Sequence, residues 1–408
     1  MSACRLCGAP LRQTFCDLGV APLSNAFLEA SQLNAMERFY PLHAWVCDQC
    51  LLVQLEEFET PERIFSDYAY FSSYSDTWLR HAEDYVAAML ARFDLGPQSR
   101  VVEIASNDGY LLQYFRRRGV PVLGIEPAAN VARAAEQRGI PTRVEFFGAQ
   151  CATRLVAEGP RADLIVANNV LAHVPALNDF VEGVRILLAA GGTATFEFPH
   201  LLRLMIENQF DTIYHEHFSY FSLIAAERLF ASHALRVFDV EELPTHGGSL
   251  RLYVCHRQSA VNPPSDARER IRAAERAAGL ESLSAYTAFQ AQAHEAKRGL
   301  LEFLIGARRA GKRIAAYGAA AKGNTLLNYC GIRSDFIEFV ADRSPHKQGR
   351  FLPGSHIPIE PPERIRETRP DYLLILPWNL KDEVMEQSGF IREWGGRFVV
   401  PIPRVAVL

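Results

Sequence analysis

Two histidines, a carboxylate and a tyrosine fill four consecutive positions in Asp211-Thr-Ile-Tyr214-His215-Glu216-His217. Histidine titrates near neutral pH and a carboxylate can fix its tautomer, so the cluster suits acid-base work. In extended backbone Tyr214 and Glu216 would share one side, His215 and His217 the other. A zincin centre is excluded, because His-Glu-x-x-His needs a histidine where Ser219 stands. The plain alternative is a pair of structural histidines. A second constellation, Cys4-x-x-Cys7 and Cys47-x-x-Cys50, reads as a tetrahedral zinc site rather than disulfides if the compartment is reducing. Four thiolates leave no open position, so such a metal is structural; redox chemistry by one knuckle is the alternative. Cys16, Cys151, Cys255 and Cys330 have no partner at ligand spacing and read as core residues.

The third constellation is the stretch from Val101 to Pro127. An apolar run closes on Glu103, passes through Ala105, Ser106, Asn107, Asp108 and Gly109, and enters a helical segment. A second apolar run then closes on Glu126. This is the cadence of a β-α-β unit whose small turn admits a ribose-bearing cofactor and whose second acid can take a ribose diol. No G-x-G-x-x-G is present, so no pyrophosphate cradle is expected, which turns the reading from NAD towards S-adenosylmethionine. Asp163 to Asn168 reads as a further strand, followed by a helix through Leu188 and a turn-plus-strand from Ala189 to Phe198. Strand, helix and glycine turn at this rhythm build a doubly wound sheet with ligands at its strand ends. In the cofactor site Pro127 follows the ribose acid, Asn168 lies near the methionine or adenosine portion, and Phe146 or Phe147 flanks adenine.

These elements sit in a chain of 408 residues, too long for one ordinary core. A formal net charge of −4 gives no broad case for nucleic acid or an anionic membrane. No apolar stretch approaches the roughly 20 residues of a membrane span and no signal-peptide pattern opens the chain, so a cytoplasmic protein is expected. A second α/β region follows. Residues 266 to 309 read as one long helix, Arg313 to Tyr317 as a strand, Gly318 to Asn324 as a small-residue turn, and Thr325 to Cys330 as a helix. Phe336 to Val340 and Asp371 to Pro377 read as further strands. Lys322, beside a helix start, is a candidate anion contact.

Taken together, the motifs resemble the S-adenosylmethionine-dependent C-methyltransferases of nucleotide-linked deoxysugars. The resemblance runs over essentially the whole chain, through the four cysteines, the Glu103–Gly109 turn, Asn168-Asn169-Val-Leu-Ala-His173 and Tyr214-His-Glu-His217. It continues through His246-Gly-Gly-Ser-Leu-Arg251 and Tyr317-Gly-Ala-Ala-Ala-Lys-Gly-Asn324. It implies methyl transfer to the carbon beside the ketone, usually C3, of a nucleoside-diphosphate 4-keto-6-deoxysugar, with thymidine diphosphate the first candidate carrier and other bases open. His217 would be the base, Glu216 and Tyr214 would orient it or contact the sugar, and His173 would sit near the developing enolate. An active-site tyrosine is expected at Tyr68 or Tyr70. Lys322, Asn324, Asp342 and Lys347 would hold the nucleotide diphosphate, and His246 would touch substrate or merely shape its hairpin. The chain departs from the family at Ala105, where glycine is common; alanine is tolerable there unless the position needs positive φ. The implied fold is a class I methyltransferase sheet between an N-terminal Cys4 zinc domain and a C-terminal Rossmann-like α/β domain, with boundaries at 1–60, 61–260 and 261–408. Two other readings remain: an O- or N-methyltransferase of another small molecule, and a non-catalytic module in which the fold only binds.

Overall fold

The computed structural model describes residues 2–60, 72–74, 76–260 and 262–408; Tyr68 and Tyr70 lie outside these residues. Near the N-terminus the antiparallel strands β1 (Gln13–Ala21), β2 (Tyr40–Val46) and β3 (Val53–Leu55) form a small sheet. Its fourth strand, Ser219–Tyr220, comes from far along the chain and pairs with β3. Phe15, fully buried on β1, stacks on Phe289 at a centroid distance of 4.7 Å. That contact makes the face of the small sheet part of the C-terminal core. A buried phenylalanine is worth about 2–3 kcal/mol in area alone, so this sheet is anchored by chain from outside residues 1–60.

The central sheet explains where ligands can go. β4 (Val101–Ile104), β5 (Val122–Ile125), β6 (Thr142–Arg143), β7 (Ala162–Asn168) and β8 (Leu188–Pro199) run parallel. With Ser219–Tyr220 counted as β9, the antiparallel β10 (Leu235–Leu243) and β11 (Ser249–His256) complete the order β10-β11-β8-β7-β4-β5-β6. β4, β7 and the inner length of β8 are apolar and buried, as a parallel sheet covered on both faces requires. Connections leave β4 in one direction and β7 in the other, so the crevice at their carboxyl ends is the natural binding position.

The C-terminal sheet repeats that logic in the order β14-β13-β12-β15-β16-β17. Its strands are β12 (Ile314–Tyr317), β13 (Val340–Ala341), β14 (Ile359–Glu360), β15 (Tyr372–Ile375), β16 (Arg397–Val400) and β17 (Ala406–Val407); only β17 is antiparallel. Three expectations change here. The single helix over 266–309 is three helices, Asp266–Ala277, Leu283–Thr287 and Phe289–Arg309. Gly279, at φ +82°, ends the first of them, and a left-handed glycine is a strong helix stop. The helix expected from Thr325 starts at Ala321, which moves Lys322 and Asn324 from a turn into its first turns. The strand expected over 336–340 shrinks to Val340–Ala341, because the amides of Phe336 and Ile337 turn back to the Arg333 carbonyl. No helix among the described residues is long and apolar enough to cross a membrane.

Candidate active site and cofactor cradle

The four cysteine sulfurs lie within 4.8 Å of one another, with Cys4–Cys50 and Cys7–Cys47 each at 3.5 Å. Tetrahedral zinc with Zn–S bonds near 2.3 Å needs sulfurs about 3.8 Å apart, so the set fits the ion with small adjustments. Donors already face the sulfurs: Gln54 Nε2 reaches Cys4 at 3.2 Å and the Gln49 amide reaches Cys47 at 3.4 Å. Such donors stabilise thiolates and orient them. The zinc is structural, since every ligand position is filled by protein.

The turn after β4 is shaped by backbone strain. Ala105, Asn107 and Gly109 all take positive φ (54°, 49° and 76°). Glycine is required at the last, where a Cβ would come within 2.8 Å of Ile140. Ala105 therefore occupies the conformation that makes the departure from glycine costly. Glu126, buried at the end of β5, takes the Asn107 amide on one oxygen and the Ala128 amide on the other, each at 2.9 Å. One lone pair remains on each oxygen, which suits a vicinal diol. Around this carboxyl, Glu103 Oε2, Ser106 Oγ, Asp108 Oδ1, Asn168 Oδ1 and Asn169 Nδ2 are buried without a hydrogen-bond partner among the described residues. Buried polar atoms are rarely left so, and five at the switch point of one sheet fit a polar ligand. Burial, with Glu126 and Asp108 close by, pushes Glu103 well above the usual carboxylate range. Pro127 follows Glu126 into the turn before the helix Ala129–Gln137. Phe147 packs edge-on against Phe180 and is committed to the core, whereas Phe146 stays exposed and available to a ligand ring.

The Tyr214–His217 segment is a turn, not a strand. The His217 amide donates to the Tyr214 carbonyl at 2.9 Å, which brings residues three apart to the same side. Tyr214 and His217, expected on opposite sides, therefore meet: Tyr214 Oη lies 2.9 Å from His217 Nε2. The other ring nitrogen, Nδ1, faces the Thr212 carbonyl at 3.0 Å. A carbonyl can only accept, so it fixes the proton on Nδ1 and leaves Nε2 as the basic atom, hydrogen-bonded by the tyrosine hydroxyl. The orienting group is a backbone carbonyl, where a carboxylate was expected. His173 is held the same way by the Glu216 carbonyl at 2.8 Å, and its ring lies edge-on to His217 at 4.7 Å. Burial, with His173 adding to it, keeps His217 well below the ordinary histidine range, and burial takes His173 down to about 4. Both are neutral at physiological pH. His215 turns away to the Pro41 carbonyl at 3.1 Å and packs beside Tyr40 and Phe58, a structural role. Glu216 points elsewhere again: Asn25 Nδ2 donates to its Oε1 at 2.6 Å, and burial raises the carboxyl to about 7.

The facing wall is built from both α/β regions. Lys322 reaches the His246 carbonyl and Asn379 Oδ1, each at 3.2 Å, and lies over the Trp378 ring at 4.6 Å. Trp378 Nε1 donates to buried Asp211 at 2.7 Å; burial outweighs Lys322 and takes Asp211 up to about 6. His246 (φ +56°) lies 5.6 Å from Trp78, whose ring stacks on His81. Beneath them Glu197 collects His81 (3.1 Å), Arg251 (3.0 Å) and Thr245 (3.0 Å). The four nucleotide candidates are not brought together. Lys322 joins the His246 wall. Asn324 is buried, with both its oxygens taken by the Asn328 side chain. Asp342 and Lys347 remain paired at 3.5 Å beside the β12 turn, where Asp342 also receives the Ala319 amide at 2.8 Å. Asn25, Asp211, Trp78, His81, Glu197, Arg251, Trp378 and Asn379 were not singled out from sequence. Glu197 and Trp378-Asn379 carry a usable signal, polar residues at or just past a strand end; Asn25, in an irregular loop, carries none.

Family comparison divides the chain in three. Residues 4–65 match a zinc binding domain, 78–239 a methyltransferase domain, and 244–403 a C-methyltransferase C-terminal domain. The chain is 36% identical to C-methyltransferase NovU of Streptomyces niveus over 99% of its own length and 96% of that protein. It is 32% identical to a ubiquinone biosynthesis O-methyltransferase of Methylobacterium sp. (strain 4-46), over 28% of this chain and 48% of that one. Among solved structures, magnesium protoporphyrin IX methyltransferase from Synechocystis PCC 6803 is 15% identical, covers 48% of this chain and 88% of its own, and superposes with a TM-score of 0.35.

Proposed function

The chain belongs to the C-methyltransferase family, and we propose that within it the enzyme methylates C3, the carbon beside the ketone, of a nucleoside-diphosphate 4-keto-6-deoxysugar. The observation that carries this reading is the neutral His217, its Nδ1 proton fixed on the Thr212 carbonyl and its Nε2 basic. Methylation of oxygen or nitrogen has no need of a carbon-acid base; methylation beside a ketone does.

Glu126 and the polar atoms at the ends of β4 and β7 would hold S-adenosylmethionine, which would supply an electrophilic methyl group. The protein's own work is to make the carbon nucleophilic. His217 Nε2 takes the C3 proton, and the C–H electron pair moves through C4 onto the ketone oxygen. As substrate displaces the Tyr214 hydroxyl from Nε2, that hydroxyl becomes a donor for the oxygen that gains charge. A single well-placed donor of this kind is worth about 3 kcal/mol. His173, neutral and fixed by the Glu216 carbonyl, packs against the His217 ring and holds its plane. Lys322, set among His246, Asn379 and Trp378, is a fixed positive charge on the cleft wall for the diphosphate or a sugar oxygen.

The test is product analysis with 13C-methyl S-adenosylmethionine and the thymidine-diphosphate 4-keto-6-deoxysugar. A labelled methyl on C3 is the expected result; a methyl on C5, the other carbon beside the ketone, would overturn the position. A methyl on oxygen, or transfer only to a non-sugar ketone, would overturn the substrate assignment.

A further inference from the structure

The loop between β1 and β2 belongs by sequence to the zinc domain, yet it reaches the turn that carries His217. Asn25 Nδ2 donates to Glu216 Oε1 at 2.6 Å, the one side-chain hydrogen bond of that carboxyl among the described residues, and Glu216 is only 6% exposed. Two residues on, the ring of Phe27 lies under the Lys347 ammonium at 5.5 Å. Leu28 then exchanges both backbone hydrogen bonds with Phe351, at 2.9 Å each, and so is tied to the C-terminal domain. Ser24, on the other side of Asn25, is buried. The loop is thus fixed on both sides of the residue that touches the carboxyl.

We propose that Asn25 is a positioning residue for catalysis: its amide holds the Glu216 carboxyl, and with it the turn that carries His217. The inference rests on the C-methyltransferase reading of the site and adds the zinc domain to the catalytic machinery. The groups around Glu216 are His215 and His217 on its own turn, Tyr214 before them, and His173, which contacts the Glu216 carbonyl. All three histidines are held below their ordinary range, first by burial, and so bring no charge to the carboxyl. Lys347 is the cation carried against the same loop. Burial raises Glu216 and the Asn25 amide opposes it, because a donor favours the ionised form. Removing the amide must therefore move the carboxyl to higher pH, whichever of its forms is the working one.

The experiment compares wild type, Asn25→Ala, Asn25→Gln, Glu216→Gln and the Asn25→Ala/Glu216→Gln double variant. Asn25→Ala is expected to lower kcat roughly tenfold to a hundredfold, the range for losing a hydrogen bond to a charged group. The KM for S-adenosylmethionine should stay within twofold. Asn25→Gln should recover part of kcat, and the double variant should be no worse than Glu216→Gln alone. Carboxyl 13C titration of glutamate-labelled protein, with Glu216→Gln to assign the resonance, reads the upward shift of the carboxyl without substrate. Folded Asn25→Ala protein with an unmoved Glu216 titration would overturn the inference. A moved titration in an enzyme inactive on the keto sugar would instead uphold the contact and condemn the substrate assignment.

Discussion

The two parallel sheets share one plan and use it differently. Each has a small-residue turn after its first strand, at the point where the strand order reverses, and each has an acid at the end of the neighbouring strand. In the central sheet that turn is bent through three positive-φ residues, and buried oxygens of Glu103, Ser106, Asp108 and Asn168 are left without partners among the described residues. In the C-terminal sheet most of the corresponding groups satisfy one another, Asn324 Nδ2 being the exception. Asp342 takes the amides of Ala319 and Ser344 at 2.8 Å each, and Lys347 donates to the Ala319 carbonyl at 2.9 Å. A fold that can bind is thus distinguished from a site built to bind by unspent hydrogen-bonding capacity. The C-terminal sheet contributes instead through Lys322 and Trp378, which lean out of it towards His246 and Asp211.

The largest test of this contrast is Glu126→Ala against Asp342→Ala. The first should weaken S-adenosylhomocysteine by about a hundredfold in calorimetric titration, the loss of two hydrogen bonds to a charged group. The second should leave that affinity within twofold; equal losses would erase the distinction. Next, Gly318→Ala should destabilise the protein by roughly 2 kcal/mol in denaturant unfolding, since φ is +91° and a Cβ would sit 2.5 Å from Pro377 Cδ. Lys322→Ala should raise the KM of the nucleotide sugar about tenfold with cofactor affinity unchanged, the value of one charged contact. An unchanged KM would return Lys322 to a purely structural role with Asp211 and Trp378. The smallest effect is expected from Ala105→Gly, which relieves a left-handed alanine and should gain about 0.5–1 kcal/mol in the same unfolding assay.

Legibility followed the range of the interactions. The central β-α-β unit could be read because acids closing apolar runs, and small residues between them, are local signals. Ala105 was flagged by comparison with the family's usual glycine, but only the backbone shows that the position demands positive φ. The Tyr214–His217 turn was misread as extended, since the hydrogen bond from His217 to the Tyr214 carbonyl leaves no mark in residue types. The break at Gly279 was visible as a glycine and overridden by helical periodicity on either side. Partners from distant chain were out of reach altogether: Asn25 for Glu216, and Trp378 for Asp211 beside Lys322; the Thr212 carbonyl, though local, leaves no mark in residue types. Lys322 was therefore grouped with Asp342 and Lys347 on the strength of a shared domain.

The central claim, that His217 removes a proton from carbon, is tested most directly by solvent exchange. Enzyme is incubated with S-adenosylhomocysteine and the 4-keto-6-deoxysugar nucleotide in deuterium oxide, and incorporation at C3 is followed by proton NMR. The account predicts exchange by wild type and a loss of at least about a hundredfold in His217→Ala, the usual scale of a positioned base. Exchange that survives in His217→Ala would contradict it.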